Sequence, residues 1–317
     1  MPIAYHRLAR TPANRWWRTL LGTLFIVVAG SALAIGLYAV ATAAAAIAGR
    51  PNDADGFPSL GAHAELALTF LSIAAFLPVI QLAARWIQRR PPGTLSSVDG
   101  HIRWPWLVIC LGLSTAAVTV LLGVSTLLPG DDGSASDLVG WESFLVSAAV
   151  LVHVVPLQAA AEEYFTRGWL LQAVGAYCRR PWLPIAVQAV VFAALHGWGT
   201  PWGFADLVVF GSVAGWLTVR TGGLEASIAL HVVNNLLGGL VSAAFGDLSV
   251  DETAADLPWQ LALVDTGVLI AYAWLVVKVF DRRDRQDRTG NRSVEARPVE
   301  ASMKSIGGAM RASTSAE

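Results

Sequence analysis

Long uncharged blocks alternate with short charged ones along almost the whole chain. The apolar blocks cover residues 19–49, 66–84, 104–130, 143–161, 181–205 and 226–246. Each approaches or exceeds the roughly 18 to 20 residues that carry an α-helix across a bilayer. In hydrocarbon a segment must satisfy its own backbone hydrogen bonds, which makes such runs helices. Proline, glycine and charge punctuate them, as at Gly49-Arg50-Pro51, Pro91-Pro92-Gly93 and Gly222-Gly223. The pattern predicts an all-α polytopic transmembrane helix bundle of about eight spans. They lie near 20–48, 62–87, 104–128, 141 into the 160s, 182–196, 203–219, 225–245 and 258–280. The fourth carries a helical pattern on to about residue 178, longer than a membrane needs.

Composition sharpens that picture. Of 317 residues, 55% are hydrophobic and 14% charged, with a mean hydropathy of +0.53. A soluble chain carries about a quarter charged residues. The net charge of −1 hides an asymmetry. With eight spans, every Lys and Arg except Arg50 falls in the even-numbered connections, at the span ends beside them, or at the termini. Positive charge accumulates on the cytoplasmic side, so both termini are expected there. Tryptophans 16, 17, 86, 104, 106, 141, 182 and 259 stand where aromatic belts form. The arginine-rich start resembles a signal peptide, but its 31 uncharged residues exceed a signal h-region, so a retained span is expected. Cys110 and Cys178 suggest neither a disulfide framework nor a cysteine metal site. The expected organisation is a basic cytoplasmic segment at 1–18, a transmembrane domain at 19–280 with its motif core at about 141–245, and a disordered cytoplasmic tail at 281–317. A lipid bilayer is the expected surrounding and no nucleic acid is an expected partner.

Three polar clusters interrupt the apolar spans. Glu162-Glu163-x-x-x-Arg167 follows nineteen uncharged residues, Phe192-x-x-x-His196 ends the fifth span, and His231-x-x-x-Asn235 lies in the seventh. Charge at membrane depth is costly and persists with a partner or a task. Glu163 and Arg167 stand at i and i+4 and pair on one helix face. Glu162 points about 100° away and is the carboxylate left over. Hydrolysis of a peptide bond inside a membrane needs water, a base near neutral pKa and donors for the oxyanion. Glu162, His196, His231 and Asn235 supply those parts. The plainer readings are a structural Glu163–Arg167 clamp, His153 and Asn234 as helix-packing residues, and Asp265 reaching the membrane interface. Straight-helix counting sets His196 about 24 Å from Arg180, deeper than Glu162 and His231, unless helices tilt or project past the membrane.

In that order on membrane helices, Glu-Glu-x-x-x-Arg, Phe-x-x-x-His and His-x-x-x-Asn resemble the CPBP family, which contains CAAX prenyl endopeptidases and bacteriocin-processing and self-immunity proteins. The likeness covers about 141–245, and residues 91–98 resemble actinobacterial members. It implies an intramembrane endopeptidase of a bacterial plasma membrane, with a cavity reached from the cytoplasm and a peptide or membrane-protein substrate. By that resemblance Glu162 activates water, assisted by His196. His231 and Asn235 bind the water, a metal or the oxyanion, and Glu163, Arg167 and Phe192 support the motif. Glu162, His196 and His231 would form a Zn²⁺ site with one open position if the enzyme is metal-dependent; a metal-free glutamate mechanism is the other expectation. A catalytically silent peptide-binding or immunity protein is the alternative function. A repeat-built transporter would spread charge along several spans, whereas here it clusters in one half.

Overall fold

In a computed structural model of the chain, residues 4–53, 56–128, 138–248 and 254–313 are described, with side chains described up to residue 286. The expected acidic residues Asp131, Asp132, Asp137, Asp251 and Glu252 lie outside them. The chain divides into two compact units, Met1–Ala273 and Trp274–Glu317. Every extended regular element among the described residues is helical. We number them α1 Trp16–Ile47, α2 Ala62–Ile87, α3 Trp104–Ser125, α4 Trp141–Gly175, α5 Trp182–Leu195, α6 Pro201–Thr221, α7 Glu225–Ala244 and α8 Trp259–Ser313.

Seven of the eight are long and apolar enough to cross a membrane. The exception is α5, whose 14 residues fall short of a full crossing. It ends at the site, and the chain turns back at once through Gly197 and Gly199, both at positive φ. At the other extreme α4 has 35 residues and outruns the bilayer. Side chains on α1 such as Leu24, Val28, Ile35 and Val40 are exposed, as they are where lipid replaces water as the neighbour. The irregular tail expected after residue 280 is instead continuous helical backbone to Ser313. Its stretch of Asp, Arg and Gln has adequate helix propensity without any apolar stripe, which a criterion of apolar periodicity overlooks.

The two ends of the bundle are tied differently. On the arginine-rich side, the segment after α2 docks on the α6–α7 corner. Val98 N–H donates to the Gly222 carbonyl at 2.8 Å and Leu224 N–H to the Ser96 carbonyl at 2.9 Å. Gly222 caps α6 in the left-handed region at φ 75°, where a side chain is disfavoured. Arg103 then clasps the buried Glu225 with both Nε (2.9 Å) and Nη2 (2.7 Å), while its backbone N–H bonds the same carboxylate at 2.8 Å. The N-terminal turn Tyr5–Arg7 closes over this face, the Tyr5 hydroxyl bonding the Leu95 carbonyl. Beneath it pack Leu95, Tyr164, Trp169, Leu171 and Leu224. On the arginine-poor side, Thr200 caps α6 by accepting from Gly203 N–H at 2.9 Å, with Pro201 at the first helical position. Thr200 also holds the Ala255 carbonyl through its N–H at 2.8 Å.

One expectation about α8 is corrected. Asp265 does not reach for the interface but turns inward and hydrogen-bonds Asp206 on α6. Two carboxyl groups share such a bond only when one of them carries a proton. A position count from the outer loop finds depth but not facing, and Asp265 faces the bundle.

Removing the Arg103 fork while Glu225 stays buried leaves a carboxylate without its partner, at a cost of about 3 kcal/mol. Arg103→Ala should therefore lower the thermal unfolding midpoint in detergent, with Arg103→Lys intermediate because a point charge does not reproduce two parallel bonds. Equal midpoints for Arg103→Ala and wild type would show that the clasp is not structural.

Candidate active site

The site is built where α4 leaves regular geometry. After Glu163 the helix widens into a π segment, Tyr164–Leu170. Such widened turns occur frequently at functional positions because they re-aim side chains without ending the helix. Here Thr166 Oγ1 bonds back to the Glu162 carbonyl at 2.6 Å, and Arg167 Nη1 reaches Glu163 Oε1 at 2.7 Å. Both members of that pair are fully buried. The Arg167 guanidinium lies 4.3 Å over the Phe192 ring and 5.7 Å from that of Phe210, so aromatic faces take the place of further solvation. Glu163 and Arg167 are thus the clamp that the i,i+4 spacing predicts, and Phe192 is its third member.

A chain of polar contacts leads from this clamp to the cavity. Glu163 Oε1 also meets His231 Nδ1 at 2.9 Å. An ionised carboxylate only accepts, so Nδ1 carries the hydrogen and the neutral ring presents Nε2 as an acceptor. That Nε2 stands 3.5 Å from Glu162 Oε2. Glu162 Oε1 accepts from Gln158 Nε2 at 2.6 Å, and Gln158 Oε1 accepts from Asn235 Nδ2 at 3.3 Å. Glu162 keeps a side-chain exposure of 20%, and its Oε2 has no hydrogen-bond partner. In this way one glutamate is locked and the other is held by one oxygen only.

His196 joins from the end of α5. Its Nδ1 donates to the Phe192 carbonyl at 2.9 Å, which again leaves Nε2 as the acceptor of the neutral ring. The Phe192 ring lies 4.6 Å from the His196 ring and 5.7 Å from that of His231, centroid to centroid. Phe192 therefore bridges the difference in depth that helix counting sets between the two imidazoles. Glu162, His196 and Asn235 all line one cavity of about 820 Å³, with His231 directly behind Glu162. Asn234, expected to pack against a neighbour, lines the cavity as well. His153 is exposed and bonds the Ala149 carbonyl of its own helix at 2.7 Å, so it is satisfied locally rather than by packing.

Two features were not anticipated. Gln158 sits one turn before Glu162 and joins it to Asn235; the signal was an amide at i−4 inside an otherwise apolar run. The second is the course of the cavity. Its walls come from Leu66, Phe70 and Ile73 of α2, Leu151 of α4 and Gly238 and Ser242 of α7, all on the arginine-poor side of Glu162. It continues to Asp247 and Ala254 beyond α7. A cytoplasmic entrance, implied by the family likeness, is not what the lining shows. The inward side is filled by the packed residues around Trp169 and Tyr164, whose hydroxyl meets Ser96 Oγ at 2.6 Å. As to metal, no three His, Cys, Asp or Glu side chains among the described residues are gathered to hold an ion. Glu162, His196 and His231 do not fit a Zn²⁺ site as placed, and Nδ1 of His231 is taken up by Glu163.

Arg167→Ala strands Glu163 in a site without water, where breaking a buried pair costs about 3–5 kcal/mol. Folded yield by size exclusion should collapse. Replacing the pair together, as Glu163→Gln with Arg167→Met, should recover much of it, whereas recovery no better than the single variant would refute the clamp. His153→Ala should change neither yield nor midpoint.

Comparison with known proteins bears on the same stretch. Residues 142–237 match the Rce1-like family, described as type II CAAX prenyl endopeptidase Rce1-like. The chain is 29% identical over 169 residues to an uncharacterised protein of Bacillus subtilis strain 168, YyaK, covering 50% of this chain and 55% of the other. It thus spans about half the length of that relative. No solved structure matches the chain. All three polar motifs fall within the matched segment: over residues 142–237 this multi-pass membrane protein is Rce1-like, and its motifs are those of the CPBP family.

Proposed function

We propose that the protein is an intramembrane endopeptidase in which Glu162 activates a water molecule against a peptide bond of a membrane-associated peptide or protein. The observation that carries this reading is Glu162 Oε2: an acceptor with no partner, facing a cavity, 3.5 Å from His231 Nε2 and pinned through its other oxygen. A water there donates one hydrogen to Glu162 and the other to an imidazole acceptor, His231 or His196. Glu162 takes the proton as the water oxygen bonds the carbonyl carbon, and the carbonyl becomes an oxyanion. The N–H of Asn235 not directed at Gln158 is the nearest amide donor for that charge. As the C–N bond breaks, Glu162 returns the proton to the leaving nitrogen, giving a carboxylate and an amine. Gln158 positions Glu162 and Asn235 without touching the reacting atoms. Glu163 and Arg167 fix the tautomer of His231 in the manner of a carboxylate orienting an imidazole. With the donors placed as they are, this cycle runs without a bound metal.

Membranes from cells making wild type or Glu162→Gln at matched levels supply the test, read as new peptide termini by mass spectrometry. Termini that depend on Glu162 identify the substrate. Identical lists would sink the protease reading and leave a peptide-binding or immunity role for the same fold. On a peptide spanning a cleaved bond, Glu162→Gln should lose about 10² to 10⁴ in kcat. Asn235→Ala should lose about 10² to 10³. Gln158→Met should lower kcat with little change in KM, since it loosens the base and leaves the cavity wall apolar. Chelation of the purified enzyme should leave activity unchanged; a loss restored by Zn²⁺ would overturn the metal-free cycle.

A further inference from the structure

We infer that substrate enters this cavity from the arginine-poor, extracytoplasmic side, as a peptide segment carrying apolar side chains in that half of the bilayer. The inference rests on Glu162 as the reacting end of the cavity. Three observations support it. The first is direction. Along α7, which leaves the cytoplasmic face at Glu225, the lining begins at Asn234 and Asn235 and continues through Gly238 and Gly239 to Ser242, about 10 Å further out. It passes beyond the helix to Asp247, Leu248 and Ala254, and no residue of the 88–103 segment or of the α6–α7 corner takes part.

The second is the seal behind the site. Phe165 and Thr166 are the innermost lining residues on α4. Inward of them come the Tyr164–Ser96 hydrogen bond, the fully buried Trp169 and Leu95, and Tyr5 of the N-terminal turn bonded to Leu95. A peptide arriving from the cytoplasm would have to displace that core. The third is the chemistry of the walls. Ile26, Val27, Leu66, Phe70, Ile73 and Leu151 form an apolar barrel between a polar mouth at Ser242 and Asp247 and the polar floor at Glu162. Gly238 keeps the passage wide: a Cβ there would meet no atom within 4 Å. Such a channel suits apolar side chains, with the peptide bond carried down to the floor. A soluble, charged cytoplasmic peptide has no counterpart for its charges on these walls.

Cysteine accessibility tests this without any substrate. In a Cys178→Ser background, with Cys110 buried, Gly238→Cys and Ser242→Cys are made singly in the full chain. A charged, membrane-impermeant thiol reagent is applied to right-side-out and to inverted vesicles, and unaltered Cys178, beside the cytoplasmic arginines, reports on sidedness. Both cavity cysteines should react about tenfold faster in right-side-out vesicles, since a charged reagent does not cross hydrocarbon. Reaction faster in inverted vesicles, equal rates from both sides, or no reaction at either position would overturn the inference. Ser242→Cys is close to isosteric and guards against a folding defect at Gly238. Repeating the labelling with Glu162→Gln separates the two readings. Outward labelling with undiminished proteolysis in Glu162→Gln would remove the base and keep the entrance; inward labelling with dead Glu162→Gln would do the reverse.

Discussion

The buried pair of Glu163 and Arg167 is the interaction on which the remainder of this site depends. Neither group has solvent to fall back on, so each is held by what surrounds it. The carboxylate is shared between a guanidinium and an imidazole, and the guanidinium lies against two aromatic rings. Such an arrangement is a poor source of net stability, because desolvation consumes most of the Coulomb energy. Its value is geometric. It fixes the azimuth of α4 against α5 and α7 and settles which nitrogen of His231 bears hydrogen. With His231 fixed, the position of Glu162 has meaning; without it, the second glutamate would be a stray charge in an apolar helix.

Adjacency of the two glutamates is what divides their labour. Neighbouring residues on a helix point about 100° apart, so one backbone segment sends one carboxylate into the protein and the other into the cavity. The first is satisfied by Arg167 and His231. The second has one oxygen held by Gln158 and the other directed at the space where substrate is expected. A structural and a chemical role thus sit one residue apart without competing for partners.

Much of this was legible in the sequence because hydrocarbon imposes simple constraints. Runs free of charge mark the spans, and Arg and Lys mark the side. The intervals Glu163 to Arg167 and His231 to Asn235 survive as real neighbourhoods because i,i+4 spacing is local to one helix. What escaped is what depends on how helices face one another. Asp265 carries no sequence mark of its contact with Asp206 on a different helix. The depth of His196 resisted counting because the Phe192 ring, not backbone length, brings the two imidazoles to one site. The direction of the cavity is set by which ends of the helices are packed shut, and small residues such as Gly238 widen it only in the assembled bundle. Gln158 was visible as an amide in an apolar run, yet amides at that depth often serve helix packing, and only its two partners separate the readings.

The widened turn at Tyr164–Leu170 has a consequence for how this protein tolerates change in length. A π segment is an α-helix that has absorbed an extra residue. Deleting one residue there would let the helix relax to ordinary winding and would rotate everything beyond it by about 100°. Trp169 and Gln172 would then leave the cytoplasmic core while Glu162 stayed in place. Loops elsewhere in the chain can lengthen or shorten at small cost, but this turn is read by number. A lineage that lost or gained a residue inside it would keep the two glutamates in its sequence and lose the register that makes them different.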